Sequence, residues 1–266
     1  AGHYIGDFAF LNANHFQPMR QLLKITSIFT LALVFSAGMA FAQQNEADVE
    51  QNGDDNLTEV NQNGFSNFST VSQTGQDGTA LIKQTGNNNT ADGYFQGVDD
   101  AGEDNYARLR QIGNNNDVVT YFSGATEENE VFVDQGVSGN GSYGSLVNVT
   151  FKGEYSIADI DQRGRSHTTE IYSRGEGNDI DVRQIGQNNT VDRDGDGNGS
   201  NGIDIFNGNH NTIDMLQDGA GNTAFAEIDG GNFNTVDVTQ KGNGHTAEVT
   251  MGSGASGNTA TINQSN

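Results

Sequence analysis

An eleven-residue unit of alternating side chains recurs along this chain and restricts its fold more than any other feature. Residues 45–51 read Asn-x-Ala-x-Val-x-Gln, and residues 56–62 repeat the order as Asn-x-Thr-x-Val-x-Gln. The order of residue types is still kept at residues 258–264, near the printed end. Alternation with period two is typical of a β-strand, and a fixed repeat length indicates a solenoid or a repeat array.

Each unit is predicted to be one strand followed by one turn. Side chains two apart in a strand share a face, so Ala47, Val49 and Gln51 point together and Asp48 and Glu50 point oppositely. We expect the apolar face to be buried and the acidic face to meet solvent. A glycine follows the glutamine by two and can supply the positive φ of a tight turn. The turn glycines are Gly53, Gly64, Gly75, Gly86, Gly113, Gly164, Gly186, Gly219 and Gly242.

The sequence therefore predicts an all-β fold, a β-solenoid of about nine two-strand coils of about 22 residues each. The strands would form two packed parallel sheets with cross-β stacking, in which identical amides about 4.8 Å apart bond along a ladder. Since the glutamines share parity with valine and isoleucine, we expect them to lie inside. The predicted ladder residues are Gln51, Gln62, Gln73, Gln84, Gln111, Gln135, Gln162, Gln184, Gln217, Gln240 and Gln264.

The two halves of a coil differ in the second part of the chain. Before Gln96 every unit ends in glutamine, which predicts a ladder in both halves. From Gln111 onward the alternate units end in other residues, so only one ladder should continue. Those alternate ends are Phe122, Phe151, Ser173, Asn207, Ile228 and Met251. Ladder parity favours one strand with an inserted loop between Asn189 and Asn207.

The first 42 residues are expected to lie outside the repeat fold. Met19 begins a stretch typical of a secretory signal, with Arg20 and Lys24 before an apolar run and small residues at Ala40 and Ala42. The predicted organisation is an upstream segment at 1–18, which we interpret as untranslated or a mis-called start. A signal peptide at 19–42 and a repeat solenoid at 43–266 follow. A membrane anchor is the alternative for the apolar run, which is short for one.

Charge and cysteine content exclude several classes of function. The chain has 35 acids and 12 bases, and residues 1–42 contain only Asp7, Arg20 and Lys24, so 34 acids and 10 bases remain beyond them. Such acidity argues against nucleic acid and against insertion into anionic membranes. Cysteine is absent from the sequence, so no disulfide or thiolate chemistry is predicted.

The ends of the repeat region predict self-assembly. The first unit begins two residues after the expected cleavage site, and the last closes two residues before the printed end. Monomeric solenoids normally cover their terminal coils with a cap. Neither flank of this repeat region shows a proline or an amphipathic helix that could form such a cap. We expect two bare edges of matching pattern to stack head to tail, and such a heterologous contact produces a filament.

The run Gln-x-Gly-x-x-Asn-x-(Ala/Val)-x-(Val/Ile)-x-Gln, present at residues 51–62 and in part at 73–84, resembles the curlin repeat. The resemblance covers about residues 45–264 and implies an extracellular amyloid subunit of biofilm matrix that serves cell adhesion. It also implies a nucleating subunit and an outer-membrane secretion channel with accessory proteins as partners. The chain departs from the family in its larger number of coils, in the absence of an export-targeting segment before the first repeat, and in its acidity, which suggests adaptation to salt or to divalent cations.

Two other classes of function remain open. One is a monomeric β-solenoid that binds ice or glycans through a flat face, which the recurring Asn-Thr pairs support. Those threonines adjoin turns, however, rather than forming an evident outward row. The second is a polysaccharide-acting β-helical enzyme, which would need longer coils and a catalytic cluster. No such cluster stands out from the repeats, so we expect neither catalysis nor a bound cofactor.

One motif resembles a metal site. Asp192, Asp194, Asp196 and Asn198 place oxygen-bearing side chains at alternate positions, as at the start of a calcium-binding loop. The bidentate acid of the twelfth position is missing, since Ile203 stands there, so a solvated insertion is the alternative. Acidic loops are predicted at Asp99–Asp104 and Glu127–Glu130. His167 and His245 take the asparagine position of their units and are predicted to be turn residues.

Overall fold

The described part of the chain is built from β-strands. A computed structural model describes residues 44–96, 102–103, 105–123, 126–127, 129–136, 142–152, 156–174, 177–191, 202–206 and 209–266. Within these ranges no helix has the length and apolarity needed to cross a membrane.

Strand bounds follow the predicted units closely. In chain order the strands are β1 (Glu46–Asn52), β2 (Leu57–Phe65), β3 (Phe68–Thr74), β4 (Thr79–Asn87), β5 (Thr90–Gln96), β6 (Gly102–Glu103), β7 (Tyr106–Asn114), β8 (Asp117–Ser123), β9 (Thr126–Glu127), β10 (Glu130–Gln135), β11 (Ser142–Tyr143), β12 (Leu146–Lys152), β13 (Ile157–Arg165), β14 (Thr168–Arg174), β15 (Asp179–Gln187), β16 (Thr190–Val191), β17 (Ile203–Phe206), β18 (Thr212–Ala220), β19 (Thr223–Asp229), β20 (Thr235–Asn243), β21 (Thr246–Met251) and β22 (Thr259–Ser265).

Successive strands alternate between two parallel sheets. Sheet A has the order β1-β3-β5-β8-β12-β14, then β16 and β17 together, then β19 and β21. Sheet B has the order β2-β4-β7-β10-β13-β15-β18-β20-β22. A sheet A strand and the sheet B strand after it form one coil, which gives nine coils from β1/β2 to β21/β22. The prediction of an all-β solenoid with two parallel sheets and about nine coils is confirmed.

Pairing is in register, so each repeat position forms a column along the stack. In sheet B, Val182 pairs with Ile160 on one side and with Met215 on the other. In sheet A, Val149 pairs with Thr120 and with Ile171. The inward side chains of both sheets belong to one apolar core and are fully buried in the inner coils. Alternating parity therefore places most valines and isoleucines on the inward face and most acids on the outward face, as the sequence predicts.

One coil contains an insertion within a strand. Val191 of β16 pairs with Thr169, and Ile203 of β17 pairs with Ile171, so β16 and β17 fill one position of sheet A. The prediction of a single strand with an inserted loop is correct. The prediction that Asn207 ends this unit is wrong, because Ile205 pairs with Ser173 and with Ile228 in that column. The insertion displaced the count by two residues.

Two further departures from the regular coil occur. Strand β11 pairs with β7 and β13, the same two strands that β10 pairs with. Strands β10 and β11 therefore share one position of sheet B, although residues 137–141 separate them in sequence. Strands β6 and β9 pair with each other, Glu103 opposite Glu127, outside both main sheets. The acidic segments therefore include short paired strands, and Glu130 begins β10 rather than lying in a loop.

Candidate functional site: amide columns and terminal coils

A column of nine glutamines runs through sheet B. The members, which we call the glutamine column, are Gln62, Gln84, Gln111, Gln135, Gln162, Gln184, Gln217, Gln240 and Gln264. Each Nε2 donates to the Oε1 of the next glutamine towards the C-terminal coil, over 2.8–3.0 Å. From Gln84 to Gln240 these side chains are fully buried. They are interior groups rather than polar surface residues.

The second hydrogen of each amide ties the two sheets together. Gln184 Nε2 donates to the Thr168 carbonyl at 3.0 Å, and Gln217 Nε2 donates to the Thr190 carbonyl at 3.0 Å. Both acceptors are backbone groups at the start of the preceding sheet A strand. From Gln62 to Gln240, both polar hydrogens of each column amide are therefore used, which offsets the cost of burying the amide.

The predicted second ladder in sheet A is short. Gln51 Nε2 donates to Gln73 Oε1 at 2.7 Å, and Thr58 Oγ1 donates to the same oxygen at 2.7 Å. The next residue in register is Phe95, so the amide column ends after two coils. Further along, the column holds Ser173, Ile205, Ile228 and Met251, which are buried. This column of sheet A is thus mainly apolar beyond the second coil, whereas the corresponding column of sheet B is glutamine throughout.

Asparagines at the corners form further columns that the ladder prediction did not include. Asn89 donates from its backbone N–H and from Nδ2 to Asn67 Oδ1, at 3.1 and 3.0 Å, and Asn116 repeats this with Asn89. The opposite corner uses Asn211, Asn234 and Asn258 in the same way. The available signal was their fixed position, five residues after a glutamine of the column at the first corner and six residues before one at the opposite corner.

Two histidines stand in the asparagine column, as predicted for corner residues. His167 Nε2 lies 3.1 Å from the Arg163 carbonyl, and His245 Nε2 lies 3.1 Å from the Lys241 carbonyl. A carbonyl only accepts, so Nε2 carries the proton in both rings. His167 is fully buried, and burial lowers its pKa below the usual 6.5, although hydrogen bonds to the Arg163 and Gly186 backbone oppose the shift.

The glycines that follow the glutamines stack directly on one another. All nine have positive φ, for example +112° at Gly186 and +141° at Gly219. A methyl group at Gly186 would overlap the Gly219 carbonyl oxygen of the next coil. Gly64, Gly86, Gly113, Gly164, Gly186, Gly219 and Gly242 lie within sheet B strands rather than in the turns. Glycine is needed at these positions for close approach as well as for backbone conformation.

The two terminal coils are less buried than the coils between them. The inward Val49 and Val60 of the first coil and Ala260 and Ile262 of the last are only partly buried, although they pack on the core. Each terminal strand of the described chain pairs on one side only. Donation along the glutamine column has one direction, which leaves a free Oε1 acceptor on Gln62 and one unused Nε2 hydrogen on Gln264.

The predicted metal residues Asp192, Asp194, Asp196 and Asn198 lie outside the described residues. Among the residues that are described, no group of three or more His, Asp or Glu side chains is placed to hold a metal ion. The structure therefore adds no metal site to the columns.

The fold and its amide columns define a parallel β-solenoid of stacked sequence repeats. Comparison with known families agrees with this class. A model of the curlin-associated repeat matches the chain at residues 42–75, 53–86 and 231–265. These segments include both terminal coils, so the chain carries curlin-associated repeats at both ends of the solenoid. No curated protein matches the chain.

Proposed function

We propose that this protein is the secreted structural subunit of a curli-like extracellular amyloid fibre. It would assemble by end-to-end stacking of its coils, without catalytic activity, and serve biofilm matrix and cell adhesion. The observation that carries the proposal is the pair of partly buried terminal coils, whose strands have the same pattern and an unpaired edge.

The edges match when one copy is placed on the next. With β22 on the β2 of a second copy, the register of the stack sets Ala260 beside Thr58, Ile262 beside Val60 and Gln264 beside Gln62. The glutamine column then continues through the junction, since Gln264 has a hydrogen to donate and Gln62 has an oxygen to accept it. Backbone pairing and burial of the inward residues would provide most of the affinity.

The proposed partners follow from the family. The main partner is a second copy of this chain. A nucleating subunit and an outer-membrane curli channel with accessory proteins are proposed for export and initiation. The segment at 19–42 would act as the cleaved signal that takes the chain out of the cell, where the mature solenoid neither inserts into a membrane nor binds nucleic acid.

Assembly of the purified protein tests the proposal. Incubated at micromolar concentration, the protein should form fibres that bind amyloid dyes, and fragments of those fibres should abolish the lag phase of fresh protein. Protein that remains a soluble monomer under these conditions, with or without seeds, would contradict it.

A specific observation supports one alternative, a monomeric ice-binding solenoid. Thr168, Thr190, Thr223 and Thr246 stand in register at the outward start of four sheet A strands. The sequence alone predicted no such outward row of threonines. It holds one threonine per coil. Ice-growth inhibition by the monomer, reduced by Thr190→Lys and Thr223→Lys, would favour this function, and its absence would leave the fibre proposal.

A further inference from the structure

Four aspartates form a continuous column on the outward face of sheet B, whereas the glutamine column lies on its inward face. Asp159 pairs with Asp181, Asp181 with Asp214 and Asp214 with Asp237. Phe132 precedes them in the column and Thr261 follows. We call Asp159, Asp181, Asp214 and Asp237 the aspartate column. Because parallel strands lie about 4.8 Å apart, neighbouring carboxyl groups are held close by the backbone itself.

The bases of this face lie beside other acids. Arg163 and Arg183 contact Asp161 at 2.5 and 3.8 Å, and Arg108 contacts Asp134 at 3.5 Å. Asp161 lies two residues after Asp159 on β13, and Asp134 lies two residues after Phe132 on β10. Asp179 adds another acid on β15, beside Asp181. Arg108 therefore offsets charge at Asp159 and Arg183 offsets charge at Asp181, on the N-terminal half of the column.

The C-terminal half of the column has neutral flanks. Thr212 and Leu216 flank Asp214 on β18, and Thr235 and Thr239 flank Asp237 on β20. The nearest charged residues farther along these strands are Asp218 and Lys241, which pair with each other. On the C-terminal side, β22 places Thr261 and Asn263 opposite β20. No base in the described strands stands directly next to Asp214 or Asp237 in the sheet.

The electrostatic consequence is strongest at the centre. Burial and the charges of Asp214, Asp159 and Asp179 together raise the pKa of Asp181 to about 6, against a lowering by Arg183. Burial also raises the pKa of Asp159, together with Asp134 and Asp161, and the pKa of Asp214, together with Asp237 and Asp179. These side chains keep contact with water, which screens part of the repulsion.

We infer that the aspartate column is a proton-controlled element that favours the folded, stacked solenoid as the medium becomes acidic. A protonated carboxyl can donate its O–H to the carboxylate oxygen of the next coil, so proton uptake replaces repulsion by a hydrogen bond. The link to assembly depends on the proposed function, because folding of an added chain on a fibre end would include formation of this column.

The sign of the effect follows from proton linkage. The pKa of Asp181 is raised on folding, so its contribution is fully present below the unfolded value near 3.8 and is lost as pH rises through about 6. Between pH 7.5 and pH 5.0 this one group should raise the equilibrium constant for folding by about tenfold, before screening.

The soluble protein that remains after fibre assembly measures the effect. For the natural sequence this concentration should fall from pH 7.5 to pH 5.0 by a factor of up to about ten. In the variant D181N/D214N the fall should be less than threefold, because the amides do not titrate. D181T/D214T, with the residue that naturally continues the column at Thr261, provides a second variant in case the asparagines create a ladder of their own.

The matched control removes two acids that face no acid on a neighbouring strand. Glu130 pairs with Tyr106 and Ile157, and Asp218 pairs with Ile185 and Lys241. E130Q/D218N changes the net charge equally and should keep the full pH response. An equal loss in the control would assign the response to net charge, and an unchanged response in D181N/D214N would also overturn the inference. If no fibres form at either pH, the proposed function fails instead, and the thermal midpoint of the soluble chain at the two pH values tests the column by the same comparison.

Discussion

At the scale of single residues, position in a column decides what a side chain can be. Gln184 is fully buried and bonds to Gln162, Gln217 and two backbone carbonyls, so a neutral amide with both donor and acceptor is required there. Gln187, three residues later on the same strand, is exposed. The same residue type is thus structural at one position and replaceable at another.

Glutamate in the glutamine column should destabilise the stack. Gln184→Glu or Gln217→Glu replaces two donated hydrogens by a buried negative charge, at a cost of about 2–4 kcal/mol. We expect slower fibre growth and a lower thermal midpoint, measured by dye fluorescence and circular dichroism. Gln187→Glu is the control and should behave as the natural sequence. Unchanged growth for both column variants would mean that those amides lie outside the core.

A methyl group on a stacked glycine should reduce the stability more than a methyl group on a corner glycine that faces open space. Gly186→Ala combines a φ of +112° with overlap of the Gly219 carbonyl, and the expected loss is about 2–5 kcal/mol. Gly221→Ala also has positive φ, +65°, but meets open space, so only about 1 kcal/mol is expected. Chemical denaturation of both variants measures the difference, and equal losses would contradict the close stacking.

The buried His167 should reduce stability in acid. Its pKa is lowered on folding, so its contribution is present above the unfolded value of 6.5 and is lost as pH falls through the folded value. His167→Asn restores the amide usual in this column and should lessen the fall in thermal midpoint at low pH. His245→Asn, at a half-buried ring, is the matched control. A larger acid loss in His167→Asn would contradict the assignment.

At the scale of elements, most of the coil was predictable because pairing is in register. Once parity is fixed at Val49 and Gln51, every later unit must repeat it to bury its apolar face. The wrong unit end followed an insertion, because the sequence does not show how many residues an insertion adds to the count. The sequence predicted a unit end at Asn207, whereas Ile205 pairs with Ser173 and Ile228 at that position. Asn207 has the same parity as Ile205, so alternation alone does not tell the two positions apart.

The insertion within the β16/β17 strand should be dispensable for the solenoid. Val191 and Gly202 take successive positions in one strand, because Val191 pairs with Thr169 and Ile203, which follows Gly202, pairs with Ile171. Deleting residues 192–201 should leave the circular dichroism spectrum and fibre growth close to those of the natural sequence. A calcium chelator should likewise leave the melting temperature unchanged. A large shift in either experiment would indicate that the predicted calcium loop supports the fold.

At the scale of the whole molecule, the solenoid is a one-dimensional stack with direction. Donation along the glutamine column runs from the first coil to the last, so the two ends present complementary groups rather than identical ones. The ends also differ in charge. The strands of the first coil carry Glu46, Asp48, Glu50 and Glu59, whereas those of the last carry only Glu248. Joining two first coils would oppose like charges, which favours head-to-tail addition.

Electron cryomicroscopy of the purified protein, incubated at high concentration, tests the central claim of end-to-end stacking most directly. We predict continuous fibres in which β22 of one copy pairs in parallel with β2 of the next. Gln264 should lie beside Gln62, with no break in the strand spacing of about 4.8 Å. Discrete particles that do not elongate, or fibres whose strands are interrupted at each junction, would contradict the account.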